Sequence, residues 1–213
     1  MCAVDGLNLA CNDPSDPIQQ NSLYNSWLCG CFSSSLFVYD SFGTIMYAML
    51  NAPGSEHDST LARRMYDLLR HNTPKGFGLA ADAAFSTRGD LADKIWKPLT
   101  TTQLRNASEN ETVSVRKLVA LLKKHRAAVS VRQGAEWGMG SIQNVFRRVN
   151  LPLSATHSTR LQLLKIVTHL FNFRVRTTGI SQIGTVYDSE YMGCLRDTNP
   201  QTYFMTQRFV ATI

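Results

Sequence analysis

The sequence predicts a mixed α/β fold, and three observations lead there. Loosely alternating apolar runs at residues 2–10 and 35–50 have the pattern of strands. A short apolar run, "GFGLAADAAF", has the length and composition of a buried strand. Between and after these, apolar residues recur at steps of three and four, the spacing of amphipathic helices. The predicted order is strands, helix, strand, insertion, helices, with no internal repeat.

Each element has its own signal. "CAVDGLNLA" (residues 2–10) reads as a first strand that carries Asp5. "SLFVYDSFGTIMYAML" reads as two strands, about 35–39 and 44–50, joined by an Asp-Ser-Phe-Gly turn. After "NAPG", Leu61, Met65, Leu68 and Leu69 fall at helical spacing, with Ser55 as the expected N-cap. "GFGLAADAAF" places Asp82 near the end of its strand. Residues 86–112 are polar and mixed, the signature of a loop or insertion. "VSVRKLVALLKKHRAAV" is an amphipathic helix with a basic face. A second helix follows, in which Ala135, Met139, Ile142, Phe146 and Val149 form the apolar stripe and Glu136 lies at its edge. The last helix runs through "STRLQLLKIVTHLFNFRVR".

Bulk properties narrow the class. A 213-residue chain that is 44% hydrophobic suits one globular domain, burying roughly 70% of its unfolded surface. No apolar run approaches the ~18 residues of a membrane span. The start has neither a basic n-region nor an apolar h-region, so an intracellular protein, nuclear or cytoplasmic, is expected. Cys2, Cys11, Cys29, Cys31 and Cys194 make an odd set without paired CxxC units, which favours reduced, packed thiols over structural zinc.

Charge is sharply segregated. Residues 1–104 carry net −3 and residues 105–176 carry net +10. Between Thr112 and Tyr187 there are twelve Lys and Arg and one acid, Glu136. A basic segment beside an acidic one suits a polyanion binder whose other half holds cations, and it also suits a solvated basic helix face. Lys123, Lys124, Arg126, Arg132, Arg147 and Arg148 are the candidate contacts to nucleic-acid phosphate.

Three acids stand in distinctive places: Asp5 inside a strand, Asp82 near the end of another, and Glu136 alone among bases. Carboxylates near a core are costly unless paired or bound to metal. Oxygen ligands with few protein donors suit Mg²⁺ or Mn²⁺, and two such ions support in-line attack on a phosphodiester. Each acid also has a plainer role: Asp5 as a strand-end acid, Asp82 as a cap or an arginine partner, Glu136 as the i,i+4 partner of Arg132.

"VDGLNLA", "NAPGSEHDS", "GLAADAAF" with "KIWKPL", and "VRQGAEWGMGSIQNVF", in this order, resemble the DDE-superfamily transposase nucleases of PIF/Harbinger type. "THLFNFRVRTTGI" resembles the block that closes that domain. The resemblance covers about residues 3–188 and leaves 189–213 as a tail outside it. It implies an RNase H-like core, a mixed five-stranded sheet flanked by helices, with a helical insertion before the Glu helix. It further implies Asp5, Asp82 and Glu136 as catalytic ligands of two Mg²⁺ or Mn²⁺ ions, DNA as substrate, and a Myb-like DNA-binding helper as partner; a homo-oligomer is compatible with it. Asp58 matches a family motif residue, for which a helix-capping role with Ser55 is the expectation. Arg132 matches the arginine that precedes the Glu. Leu7-Asn8 and His125 depart from the family pattern, and sequence that family members carry upstream of the first strand is expected to be missing. Those departures keep a second function open, a domesticated scaffold that binds DNA or protein without cutting.

Overall fold

The computed structural model describes residues 2–85, 87, 89–109, 115–179 and 181–183. A long first strand, β1 (Cys2–Ala10), lies at the centre of the sheet. It pairs antiparallel with β3 (Gly30–Tyr39) over an unbroken register from Ala3↔Tyr39 to Ala10↔Phe32. On its other side it pairs parallel with β5 (Leu79–Ala80), which pairs parallel with β6 (Ile95–Trp96). The far edge of β3 is shared: β2 (Tyr24–Asn25) takes its first two residues and β4 (Ile45–Pro53) takes the rest. The sheet therefore contains six strands but is five strands wide, in the order β4-β3-β1-β5-β6 with β2 beside β4. This is the RNase H-like architecture that the resemblance implies, with one short strand more than expected.

Period-two alternation along β1 and β3 splits the core into two layers. Ala3, Leu7, Leu9, Phe37 and Tyr39 pack on one face against Ala135, Met139 and Ile142 of α5 (Val115–Val145) and Leu164, Val167 and Phe171 of α6 (His157–Thr178). Val4, Leu36 and Val38 pack on the other against Met65, Tyr66 and Leu69 of α3 (Arg63–Asn72). Each fully buried Leu or Phe contributes roughly 1.5–3 kcal/mol to holding these layers together.

Several boundaries differ from expectation. The helix expected to start from Ser55 is two pieces, α2 (Asp58–Leu61) and α3, and its N-cap is His57. The Ser55 hydroxyl donates to the Ser22 carbonyl instead (2.7 Å), tying the segment to α1 (Pro17–Leu23). The stretch 86–112 is more than a loop: it contains β6 and α4 (Thr101–Glu109), because Ile95 finds a place in the core beside Leu79. The two helices expected around residues 113–149 are one helix of 31 residues, α5, because nothing in "VSVRQGAEW" interrupts the backbone ladder. Residues 189–213 and Cys194 lie outside the described residues. Cys2, Cys11, Cys29 and Cys31 are free thiols. No helix among the described residues is long and apolar enough to cross a membrane.

Two side-chain clamps hold α6 to the sheet. Asn172 accepts from the Ile45 N–H (2.8 Å) and donates to the Ile45 carbonyl (2.9 Å), so its amide completes the edge of β4 as another strand would. Arg160, only 3% exposed, donates to Asn51 Oδ1 (2.7 Å) and to the Ser154 and Ala155 carbonyls (2.9 and 2.8 Å). Asn51 adopts φ 60° at a bulge in β4, a conformation that asparagine accepts more readily than most residues. At the end of α6, Gly179 takes φ 64° and returns its N–H to the Val175 carbonyl, a left-handed C-terminal cap.

Asn172→Ala is expected to lower unfolding free energy by about 2 kcal/mol, since both backbone groups of buried Ile45 lose their partner. Urea denaturation measures this, and an unchanged midpoint would mean that the clamp contributes nothing.

Candidate functional site

Asp5 lies halfway along the central strand, and its side chain shares the α5 face with Ala3 and Leu7. The parallel ladder Cys2↔Leu79, Ala3↔Ala80 ends there; carried two residues further, it brings Asp5 level with Asp82. Asp82 turns the chain at this point, its carboxylate accepting from the Ala84 N–H (2.8 Å). Burial pushes Asp5 up to about 6; the Gly6 N–H, at 2.8 Å, pulls it down, Asp82 pushes it up, Arg132 pulls it down and Asp58 pushes it up. Two aspartates and one arginine thus converge electrically on one central carboxylate.

Asp58 is the residue that sequence reasoning assigned elsewhere. It is the first residue of α2, whose N-cap is His57. Its carboxylate instead rests on Gly6: a Cβ there would lie 2.7 Å from Oδ1 and 3.0 Å from Oδ2. Glycine follows Asp5 because any larger residue would displace Asp58. Burial raises Asp58, Asp82 raises it further and His57 opposes them. The signal was present in the pairing of "DG" with "GSEHDS", but a capping pair and a site residue share the same short spacing.

Glu136 sits on α5, exposed, with its carboxylate 2.8 Å from the Arg132 guanidinium. The i,i+4 pairing that the sequence allows is therefore formed, and the same Arg132 charge acts on Asp5. Asp5, Asp58 and Asp82 act on one another, Asp58 approaching at Gly6 from the α3 face, while Arg132 and its partner Glu136 stand on the α5 face with Asp5. Among the described residues, no three His, Cys, Asp or Glu groups already stand close enough to share a metal ion. The donor set nonetheless fits a hard divalent cation: all ligand atoms are carboxylate oxygens, they repel one another, and burial makes the ionised form of Asp5 costly unless positive charge is supplied. Lys97 stands near as well, donating to the Ala83 carbonyl (3.0 Å); burial lowers its pKa and Asp82 opposes that.

Lys123, Lys124 and Arg126 are exposed on α5, and Arg147 and Arg148 are exposed just beyond its end. Arg148 curls back toward the Pro152 carbonyl (3.3 Å). His125, the departure from the family pattern, accepts from the Leu99 N–H (3.0 Å) and pins α5 to the segment that follows β6. That places it in the scaffold.

A family model described as DDE superfamily endonuclease matches residues 4–172, and the chain belongs to that family. No match is found among curated proteins or among solved structures.

The raised Asp5 has a definite consequence for stability. Folded and unfolded chains both hold its proton below the ordinary carboxylate value. As pH climbs from there through about 6, the folded chain binds the proton more tightly, so stability falls and stays lowered above that range. Asp5→Asn should therefore raise the thermal midpoint at about pH 7.5, by up to about 2–3 kcal/mol of stability, and the gain should vanish near pH 4. A variant that melts no higher than wild type at the upper pH would rule out the buried-charge penalty.

Proposed function

We propose, from membership of the DDE superfamily endonucleases, that this chain is the divalent-metal-dependent catalytic core of a PIF/Harbinger-type transposase, hydrolysing and transferring DNA phosphodiesters. The observation that carries the proposal is the gathering of Asp5, Asp82 and Asp58 around the centre of β1, costly for folding and without enough positive charge of its own. Asp5, Asp82 and Glu136 would hold Mg²⁺ or Mn²⁺. Two such ions, when bound, supply an activated oxygen nucleophile and stabilise the leaving oxygen.

The chain's own residues do the rest. Asp5 is fixed by the Gly6 N–H, so its carboxylate is oriented before any ligand arrives. Arg132 holds Glu136 on the site's side of α5 and is placed to exchange that carboxylate for a phosphate. Lys123, Lys124 and Arg126, with Arg147 and Arg148, would hold the DNA backbone by charge, without reading its sequence. Sequence choice then falls to a separate module, for which a Myb-like helper protein is the proposed source. A homo-oligomer would bring two such sites to two DNA ends.

One observation favours a second function. Glu136 is already neutralised by Arg132, an arrangement that suits a scaffold binding DNA without cutting it. Nicking of supercoiled plasmid separates the two. The catalytic reading expects Mg²⁺- or Mn²⁺-dependent nicking by wild type that falls about a hundredfold in Glu136→Gln and in Asp5→Asn. Salt-sensitive DNA binding with no nicking, indifferent to both substitutions, would establish the scaffold instead.

A further inference from the structure

β3 turns three hydroxyl groups toward the α5–α6 face, and two of them have work. Ser33 donates to Asn51 Oδ1 (2.9 Å), and Ser35 accepts from the Asn51 N–H (3.3 Å). The third, Tyr39, is fully buried and its hydroxyl has no hydrogen-bond partner among the described residues. Burying a phenol O–H without an acceptor is unfavourable, and phenylalanine would fill the same space without that penalty.

The ring is held by design of the surrounding sequence. Gly138 of α5 leaves room for it: a Cβ at that position would lie 2.6 Å from ring atoms Cε1 and Cζ. Phe171 meets it edge-on at 6.3 Å and Phe37 lies tilted at 6.2 Å. Tyr39 pairs with Ala3 and Phe37 pairs with Asp5, which puts the tyrosine one diagonal step from Asp5 on the same face. Long aromatic side chains reach across such a diagonal. Burial raises the Tyr39 hydroxyl, and the Asp5 charge raises it further.

We infer that Tyr39 is a positioning residue for Asp5, its hydroxyl being the donor that orients the Asp5 carboxylate when that carboxylate ligates a divalent cation. This rests on the proposed cation site and adds to it a residue outside the acidic set. One Asp5 oxygen is already occupied by the Gly6 N–H, and a donor from β3 would fix the carboxylate from a second direction.

Mn²⁺ binding by wild type, Tyr39→Phe and Asp5→Asn, measured by electron paramagnetic resonance of the free ion, tests this, with thermal midpoints of the metal-free proteins recorded alongside. Tyr39→Phe should melt at or above the wild-type temperature and bind Mn²⁺ about tenfold more weakly. A purely structural tyrosine would change the midpoint and leave Mn²⁺ affinity as it is, which overturns the inference while the cation site stands. If wild type and Asp5→Asn bind Mn²⁺ equally, the cation site itself is refuted, and the role of Tyr39 falls with it.

Discussion

The structure depends on an expensive placement: a carboxylate in the middle of the central strand, with two more brought up to it. Burial raises Asp5, and Asp82 and Asp58 raise it further, so the folded chain holds that carboxylate at a cost. The local sequence accepts this cost deliberately. Gly6 gives up its side chain so that Asp58 can close on β1, and the Gly6 N–H is spent on Asp5. On the opposite side of the same strand pair, Gly138 gives up its side chain so that Tyr39 can lie under α5. Neither glycine has a positive φ, so both are required for space and not for backbone freedom.

Around that costly centre the rest of the fold is unusually well tied. The Asn172 clamp and the Arg160–Asn51 network fix α6 to β4, and the Asp40 carboxylate closes the β3–β4 turn through the Phe42 and Thr44 N–H groups (2.9 and 2.7 Å). Among the described residues, these polar anchors share no hydrogen-bond partner with the three aspartates. Rigidity supplied elsewhere allows the centre of the sheet to stay strained by charge. The segregation of charge follows the same division: acids lie mainly in the half that builds the sheet, bases on α5 and after it.

Much of this was legible in the sequence where a physical period or a turn residue spoke directly. The first strand, the Asp40 turn and α6 follow from alternation, from Asp-Ser-Phe-Gly and from i,i+3/i+4 recurrence. Short elements were legible only in part: the apolar run "GFGLAADAAF" marked a strand where β5 stands, although only Leu79–Ala80 pairs, whereas the two-residue β6 is too short for any period and exists because Ile95 is drawn into the core. The continuity of α5 was hidden because its apolar stripe changes character between a projecting basic half and a buried half. At the site, Asp5 and Asp82 were found because isolated acids in apolar runs are conspicuous. Asp58 was assigned to a cap because spacing alone cannot distinguish a side chain that satisfies a helix end from one that leans on a glycine 52 positions earlier. Tyr39 gave no signal at all, since a tyrosine in a strand is ordinary until its hydroxyl is found without a partner.

The Arg132–Glu136 pair is the arrangement most easily taken as evidence that Glu136 has no part in the site, and its energy argues otherwise. An exposed i,i+4 ion pair is worth about 0.3–0.5 kcal/mol. Ligation of a divalent ion by a carboxylate, or capture of a DNA phosphate by Arg132, outweighs that by several fold. Under the proposed function the pair would open, the cation taking the Glu136 carboxylate and a phosphate taking the Arg132 guanidinium. The ion pair on α5 and the carboxylates gathered about Asp5 are thus two parts of one uneven charge distribution, which the proposed metal and phosphate ligands would balance.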